Sequence, residues 1–228
     1  MHRTLLDSVS HELRTPLAVL STATAKLATQ TGASRAELTA EICTATTRLN
    51  RLVANLLNLN RLESGTLKPR LDWCDLRELV NDALRHTAEV LKDHPVSVDL
   101  PAGMLLMQAD PALLEQAITN LLHNAAFHTP AGTSVRITGG IKRASEPLIF
   151  VAISDEGPGL PAELKGAIFQ KFQRGRQALP GGLGLGLSIV RGFVTAQGGE
   201  VVVGDNPGGG AVFSIYLPYR APETVPDE

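Results

Sequence analysis

His11, Glu12 and Thr15 fall within a little more than one helical turn, in the stretch Ser10-His11-Glu12-Leu13-Arg14-Thr15-Pro16-Leu17. A neutral imidazole is a good nucleophile near pH 7. A carboxylate that holds the proton on one ring nitrogen leaves the other free to attack, and it stabilises the imidazolium as that forms. Taken alone, a helical histidine is most often a solvated surface residue. Three further groupings suit a ligand. Asn120 and Asn124 are four residues apart, so on a helix they share a face and their amide oxygens can converge on one metal. Asp155 ends an apolar run and precedes Gly157-Pro158-Gly159, where glycine lets the backbone approach a ligand closely. Gly182, Gly184 and Gly186 alternate with Leu183, Leu185 and Leu187 at the opening of a helix, and backbone N–H groups there can receive phosphate. Each grouping alone is weak, and each is often just a turn or an exposed face.

Positioning these residues requires two kinds of architecture. Over the first sixty-odd residues Leu6, Leu13, Leu20 and Leu27 recur every seven, with Val9, Pro16 and Ala23 in the second apolar position. The pattern restarts after Gly32 with Leu38, Ile42, Ala45, Leu49, Leu52, Leu56 and Leu59, the seam of a coiled coil or bundle. His11 then lies farthest from the seam and points to solvent. Pro16 costs a backbone hydrogen bond inside the helix and bends it. Ser34 with Glu37 reads as a capping box for the second helix. A two-helix hairpin has too little core alone, so two copies pairing into a four-helix bundle are expected.

The remainder alternates strands and helices. Helices are predicted from an Asp75 cap to about Leu91, from Asp110-Pro111 to about His128, and over 187–197. Strands are predicted over 96–100, 135–142, 148–154, 200–204 and 211–217, giving an α/β sandwich. The expected organisation is a helical hairpin at 1–66, a linker at 67–70, an α/β domain at 71–220 and a disordered tail at 221–228. A net charge of -2 leaves no nucleic-acid footprint. The two cysteines are isolated, which argues against structural zinc and makes a reducing compartment the default. No apolar run approaches a membrane span. There is no G-x-x-x-x-G-K-[ST] loop, no H-R-D and no D-F-G.

The stretch around His11 resembles the H-box of two-component sensor histidine kinases residue for residue. Asn120 to Asn124, Asp155 to Gly159 and Gly182 to Leu187, in that order, resemble the N, G1 and G2 boxes of the gyrase, Hsp90, histidine kinase and MutL ATPase superfamily. Phe169-Gln170-Lys171-Phe172 resembles the kinases' F-box. The likeness covers about residues 4–218. It implies an all-α hairpin dimerising into a four-helix bundle, then the superfamily's α/β sandwich. By the same likeness His11 is the phosphoacceptor, Glu12 its base, and Thr15 positions the water that dephosphorylates a partner. Asp155 binds adenine, and Asn124, supported by Asn120, holds Mg²⁺. His128, Gly157, Gly159, Phe169, Phe172, Arg174 and the 182–187 segment complete the ATP site, with a lid over about 160–181. The implied partners are a second copy of the chain and the receiver domain of a response regulator. The expected setting is the cytoplasmic portion of a bacterial inner-membrane sensor, reaching the membrane only through segments upstream.

One position departs from the pattern. Phe127 stands where the family has lysine, and His128 follows, so the likeness implies that a phosphate-contacting cation is missing. A lysine there is expected to tighten Mg-ATP by about tenfold; the alternative is that Phe127 packs under the lid or into the core, where lysine would destabilise the domain and weaken binding. Leu71 to Leu76 and the glycine-rich ending resemble the potassium and turgor sensor kinases, although Glu12 stands where that subfamily has aspartate. Two other readings compete. A degenerate docking and phosphatase module is disfavoured by the intact His11, Asn124 and Asp155. A pure ATP-driven clamp is disfavoured by the H-box hairpin and by Asn120, where those ATPases carry glutamate.

Overall fold

The structure, a computed structural model, describes residues 2–27, 31–143, 145–173 and 183–221, with side chains of the first helix given from Val9 onward. Arg174, Gly182 and the tail from residue 222 lie outside the described residues.

Helices α1 (His2–Leu27) and α2 (Ala33–Glu63) pack against each other as a hairpin. Their buried positions follow the heptad seam. Pro16 and Ala23 are buried on α1, and Ala45, Leu52 and Leu59 on α2, each step being seven residues. Asn58, next to Leu59, is also buried, which the apolar pattern does not foresee. The capping box does not form. Helix α2 starts at Ala33 with Gly32 as its N-cap at φ 63° and no side-chain cap bond, so Ser34 already lies inside the first turn.

The second part holds β1 (Asp72–Asp75), α3 (Leu76–Thr87), β2 (Val96–Asp99), β3 (Leu106–Ala109), α4 (Pro111–His128), β4 (Val135–Lys142), β5 (Leu148–Asp155), α5 (Ala162–Lys165), α6 (Gly186–Ala196), β6 (Glu200–Asp205) and β7 (Ala211–Pro218). Five strands make one sheet in the order β2-β4-β5-β7-β6. The β2–β4 pair is parallel and the others antiparallel. Helices α3, α4 and α6 pack side by side, and their apolar stripes meet the sheet in a core that includes Val80, Ile118, Leu122, Ile137, Val151, Val190 and Ile215. This is the α/β sandwich.

The predicted strands and long helices are present with small shifts. Helix α3 stops at Thr87, after which Val90 N–H bonds the Thr87 carbonyl at 3.1 Å and the chain continues in turns. The antiparallel pair β1–β3 and the one-turn α5 carry no periodic signal and were not foreseen. Aspartates set the helix starts. Asp75 accepts Arg77 N–H at 3.0 Å, and Asp110 accepts Leu113 N–H at 3.1 Å. No described helix is long and apolar enough to cross a membrane.

A second buried cluster joins the two parts. Leu52 and Leu59 of α2 meet Leu183, Leu185, Ile189 and Phe193 from the start and body of α6, with Val9, Leu13 and Phe172 packed against them.

Candidate active site

Helix α1 carries His11 exposed, as its position opposite the seam requires. Thr15 donates its hydroxyl to the His11 carbonyl at 3.4 Å, which holds the threonine one turn along, next to Pro16. Glu12 turns toward the second helix, where Arg48 Nη2 donates to Glu12 Oε2 at 3.0 Å. Neighbouring helical residues do not face each other, so His11 and the Glu12 carboxylate leave the helix in different directions.

Strand β5 delivers Asp155. Register places it opposite Val135 of β4 and just past the last β5–β7 pair, Ser154 with Val212. The residue is 6% exposed, and its Oδ1 accepts Gly157 N–H at 2.9 Å and Ala211 N–H at 3.3 Å. Its carbonyl accepts the Asn206 amide at 2.9 Å. One carboxylate oxygen is thereby fixed by the fold, and the hydrogen bonds among the described residues engage Oδ1 rather than Oδ2. The glycines around it are there for clearance. A Cβ on Gly157 would lie 2.6 Å from the Thr129 methyl, and one on Gly210 would lie 2.1 Å from the Asp155 carbonyl oxygen, with φ 91° besides. Asn206, Gly210, Ala211 and Thr129 build this seat and were not singled out in the sequence. The glycine-rich turn before β7 was their one visible signal.

Helix α4 turns Leu114, Ile118, Leu121, Leu122 and Ala125 into the core. Asn120, His123, Asn124 and Phe127 therefore occupy its other side, half-buried except for Phe127, which is 40% exposed. Asn120 Nδ2 is buried without a hydrogen-bond partner among the described residues. A buried unpaired amide is costly, and a polar ligand would relieve it. His123 stacks parallel on Phe127 with centroids 5.7 Å apart. Burial, and then the Arg51 charge, pull the His123 pKa down to about 4, so the ring is neutral. No group of three or more His, Cys, Asp or Glu among the described residues could hold a metal. A cation here would rest on the Asn124 and Asn120 amides together with ligand oxygens, a donor set that suits Mg²⁺. The orphaned Asn120 N–H₂ fits a phosphate oxygen of a nucleotide.

The remaining predicted residues divide by what they touch. Phe169 meets Phe213 edge-on at 6.4 Å in the α/β core. Phe172, Leu183 and Leu185 instead face the cluster shared with the hairpin, so their side chains pack and do not line a pocket. Leu187 packs on the α/β core. Phe172 holds φ 63°, its N–H bonds the Gly184 carbonyl at 3.0 Å, and a Cβ on Gly184 would lie 2.6 Å from the Gln173 carbonyl oxygen. These contacts clasp the two ends of the segment that contains Arg174 and Gly182. Gly159 sits at φ 72° near the Gly210 backbone, Gly186 begins α6, and His128 ends α4, exposed.

Residues 1–65 match the His Kinase A (phospho-acceptor) domain, and residues 109–221 match the histidine kinase-, DNA gyrase B- and HSP90-like ATPase. The Sensor protein KdpD of Mycobacterium tuberculosis is 37% identical over 99% of the chain, which spans only 27% of that protein. Among solved structures, the Acinetobacter baumannii histidine kinase AdeS superposes with a TM-score of 0.68 at 24% identity, covering 92% of this chain and 98% of that one. ShkA, solved full-length in complex with AMPPNP, superposes with a TM-score of 0.67 at 26% identity, over 95% of this chain and 46% of that one. The chain spans about a quarter of the length of the curated relatives that match it first. With a phospho-acceptor hairpin leading into an ATP-binding α/β sandwich, this chain belongs to the sensor histidine kinases of two-component signal transduction and is their catalytic core.

Proposed function

We propose that the core phosphorylates its own His11 from Mg-ATP and passes the phosphoryl group to an aspartate of a response regulator. The observation that carries this is the pairing of an exposed His11 with a half-satisfied Asp155 on one chain. Asp155 Oδ2 accepts the adenine amino group, and the amides of Asn124 and Asn120 hold the phosphate end with its ion. Mg²⁺, when bound, neutralises phosphate charge and orients the γ-phosphoryl group. The lone pair of one His11 ring nitrogen attacks the γ-phosphorus, the bond to the β–γ bridging oxygen breaks, and ADP leaves with that electron pair. The proton on the other ring nitrogen passes to a base, for which Glu12 is the adjacent carboxylate once it leaves Arg48. The regulator's carboxylate oxygen then displaces the imidazole, breaking the N–P bond.

The hairpin's exposed Leu17, Val53 and Leu57, at 51%, 44% and 57%, are an apolar surface that a second copy would cover in a four-helix bundle. This supports the homodimer. The chain divides in this reading into a hairpin at 1–66, a linker at 67–70 and the ATP-binding domain at 71–220. Thr15, bonded to the His11 carbonyl one turn away, is the residue for positioning a water in the opposing reaction, hydrolytic removal of phosphate from the regulator. A membrane-tethered sensor with this part on the cytoplasmic side is the setting that the reading implies.

Incubation with γ-labelled ATP tests the assignment. Acid-labile, base-stable label is expected on the wild type and absent from His11→Gln, with nucleotide binding retained. Label persisting at His123 or His128 would overturn it.

A further inference from the structure

Polyphosphate carries three to four negative charges, and a site for it needs positive charge close by. Helix α4, which presents Asn120 and Asn124, contains no lysine or arginine from Pro111 to His128. Among the described residues, a cation that the fold brings to this face comes from the hairpin. Arg51 of α2 places its guanidinium carbon 4.7 Å from the centroid of the Phe127 ring. Phe127 lies three residues beyond Asn124 on the same side of α4, stacked on His123. Arg51 is half-buried. An aromatic face attracts a guanidinium and fixes where its charge sits. Phe127 therefore acts as a platform for an arginine that reaches across from the other part of the chain.

We propose that Arg51 is a nucleotide-binding residue: seated on Phe127 one turn beyond Asn124, its guanidinium donates to the phosphate end of ATP. The inference rests on the ATP reading of the Asp155 and Asn124 site. It makes the phosphate half of that site a joint construction of α4 and α2, complete only while the ATP-binding part is docked on the hairpin. The same guanidinium cannot serve adenosine, which has no phosphate to receive it. A lone structural strut between the two parts would show no such preference among ligands.

The test is equilibrium binding of Mg-ATP, Mg-ADP and adenosine to the full chain as wild type, Arg51→Gln, Arg51→Lys and Asp155→Asn, with thermal melts alongside. Hydrogen bonds between charged groups commonly weigh about tenfold in affinity. Arg51→Gln should weaken Mg-ATP about tenfold and Mg-ADP less, and leave adenosine unchanged. Arg51→Lys should recover most of the loss, since it keeps the charge. Equal weakening of all three ligands, tighter ATP binding, or no change would overturn the proposal. Asp155→Asn separates the two ideas, because it should weaken all three ligands through the base. If it weakens none, the pocket reading fails, whatever Arg51 does.

Discussion

In the proposed reading, the Asp155 side chain is divided between fold and ligand. Its Oδ1 takes two backbone N–H groups, and an asparagine could keep that acceptor. The difference lies at Oδ2, where an asparagine would present N–H₂ to the adenine amino group and set donor against donor. Asp155→Asn should therefore leave the melting temperature nearly unchanged and weaken ATP and adenosine by about 1.5–3 kcal/mol. Inorganic triphosphate should bind as before. Calorimetry with the three ligands checks this, and undiminished adenosine binding would count against the assignment. Asp155 was visible in the sequence because an acid followed by two glycines at a strand end is a local pattern. Its seat was not, because Asn206, Gly210 and Ala211 reach it from more than fifty residues away through strand register. Phe127 illustrates the same limit. Of the two expectations for lysine there, the packing one gains support, since the structure puts the Arg51 guanidinium over the Phe127 ring. A lysine would meet a like charge, and that Arg51 is the neighbour could not be read from α4 alone.

Helix α4 carries Asn120 and Asn124 of the proposed site, and its two faces are under different constraints. The core face is apolar throughout, which made the helix and its Asp110-Pro111 start easy to read. The other face holds His123, whose Nδ1 is buried without a partner among the described residues. Burial and then Arg51 lower its pKa to about 4, against about 6.5 in an unfolded chain. The unfolded state thus takes up a proton near pH 6.5, while the folded state does so only near pH 4. Stability is full above about pH 6.5 and falls as the pH drops toward 4. Between pH 6.5 and 5 the loss from this one group is at most about 2 kcal/mol, in a window above ordinary carboxylate titration. The wild-type melting temperature should fall across that window. In His123→Leu, which removes the titrating ring, it should fall less. Parallel slopes for the two proteins would show that His123 is protonated in the fold. At this scale the short β1–β3 pair and the unformed Ser34 cap were misread for a common reason: four-residue strands and turn geometry at Gly32 are set by neighbours and φ, not by periodicity.

Across the whole molecule the decisive contact is the cluster that the hairpin and the α/β part share. Heptad spacing identified Leu52 and Leu59 as seam residues, and so they are. It could not show that the same residues also receive Leu185, Ile189 and Phe193 from a helix more than a hundred residues later. The polar contacts at this junction are weak by comparison. Lys171 and Glu63 pair at 2.6 Å with half-exposed side chains, the kind of surface bridge worth about 0–1 kcal/mol. Leu52 is 1% exposed, and truncating such a leucine typically costs about 2–5 kcal/mol. Because Leu52 belongs to the hairpin, Leu52→Ala leaves the main sheet core untouched while removing the floor on which the start of α6 rests. Amide hydrogen exchange resolves such local openings. In Leu52→Ala the amides at the start of α6, from Ile189 to Phe193, should exchange faster, whereas those of β5 from Ile149 to Ile153 should keep their protection. If β5 accelerates equally, the two clusters unfold as one unit and the hairpin is part of a single core. If neither changes, the junction carries no docking energy, and a cation supplied from α2 could not be held at the nucleotide. Selective exchange at α6 would show that seating the ATP-binding part on the helix pair is a separable equilibrium, one that the phosphate end of ATP, through Arg51, is placed to bias.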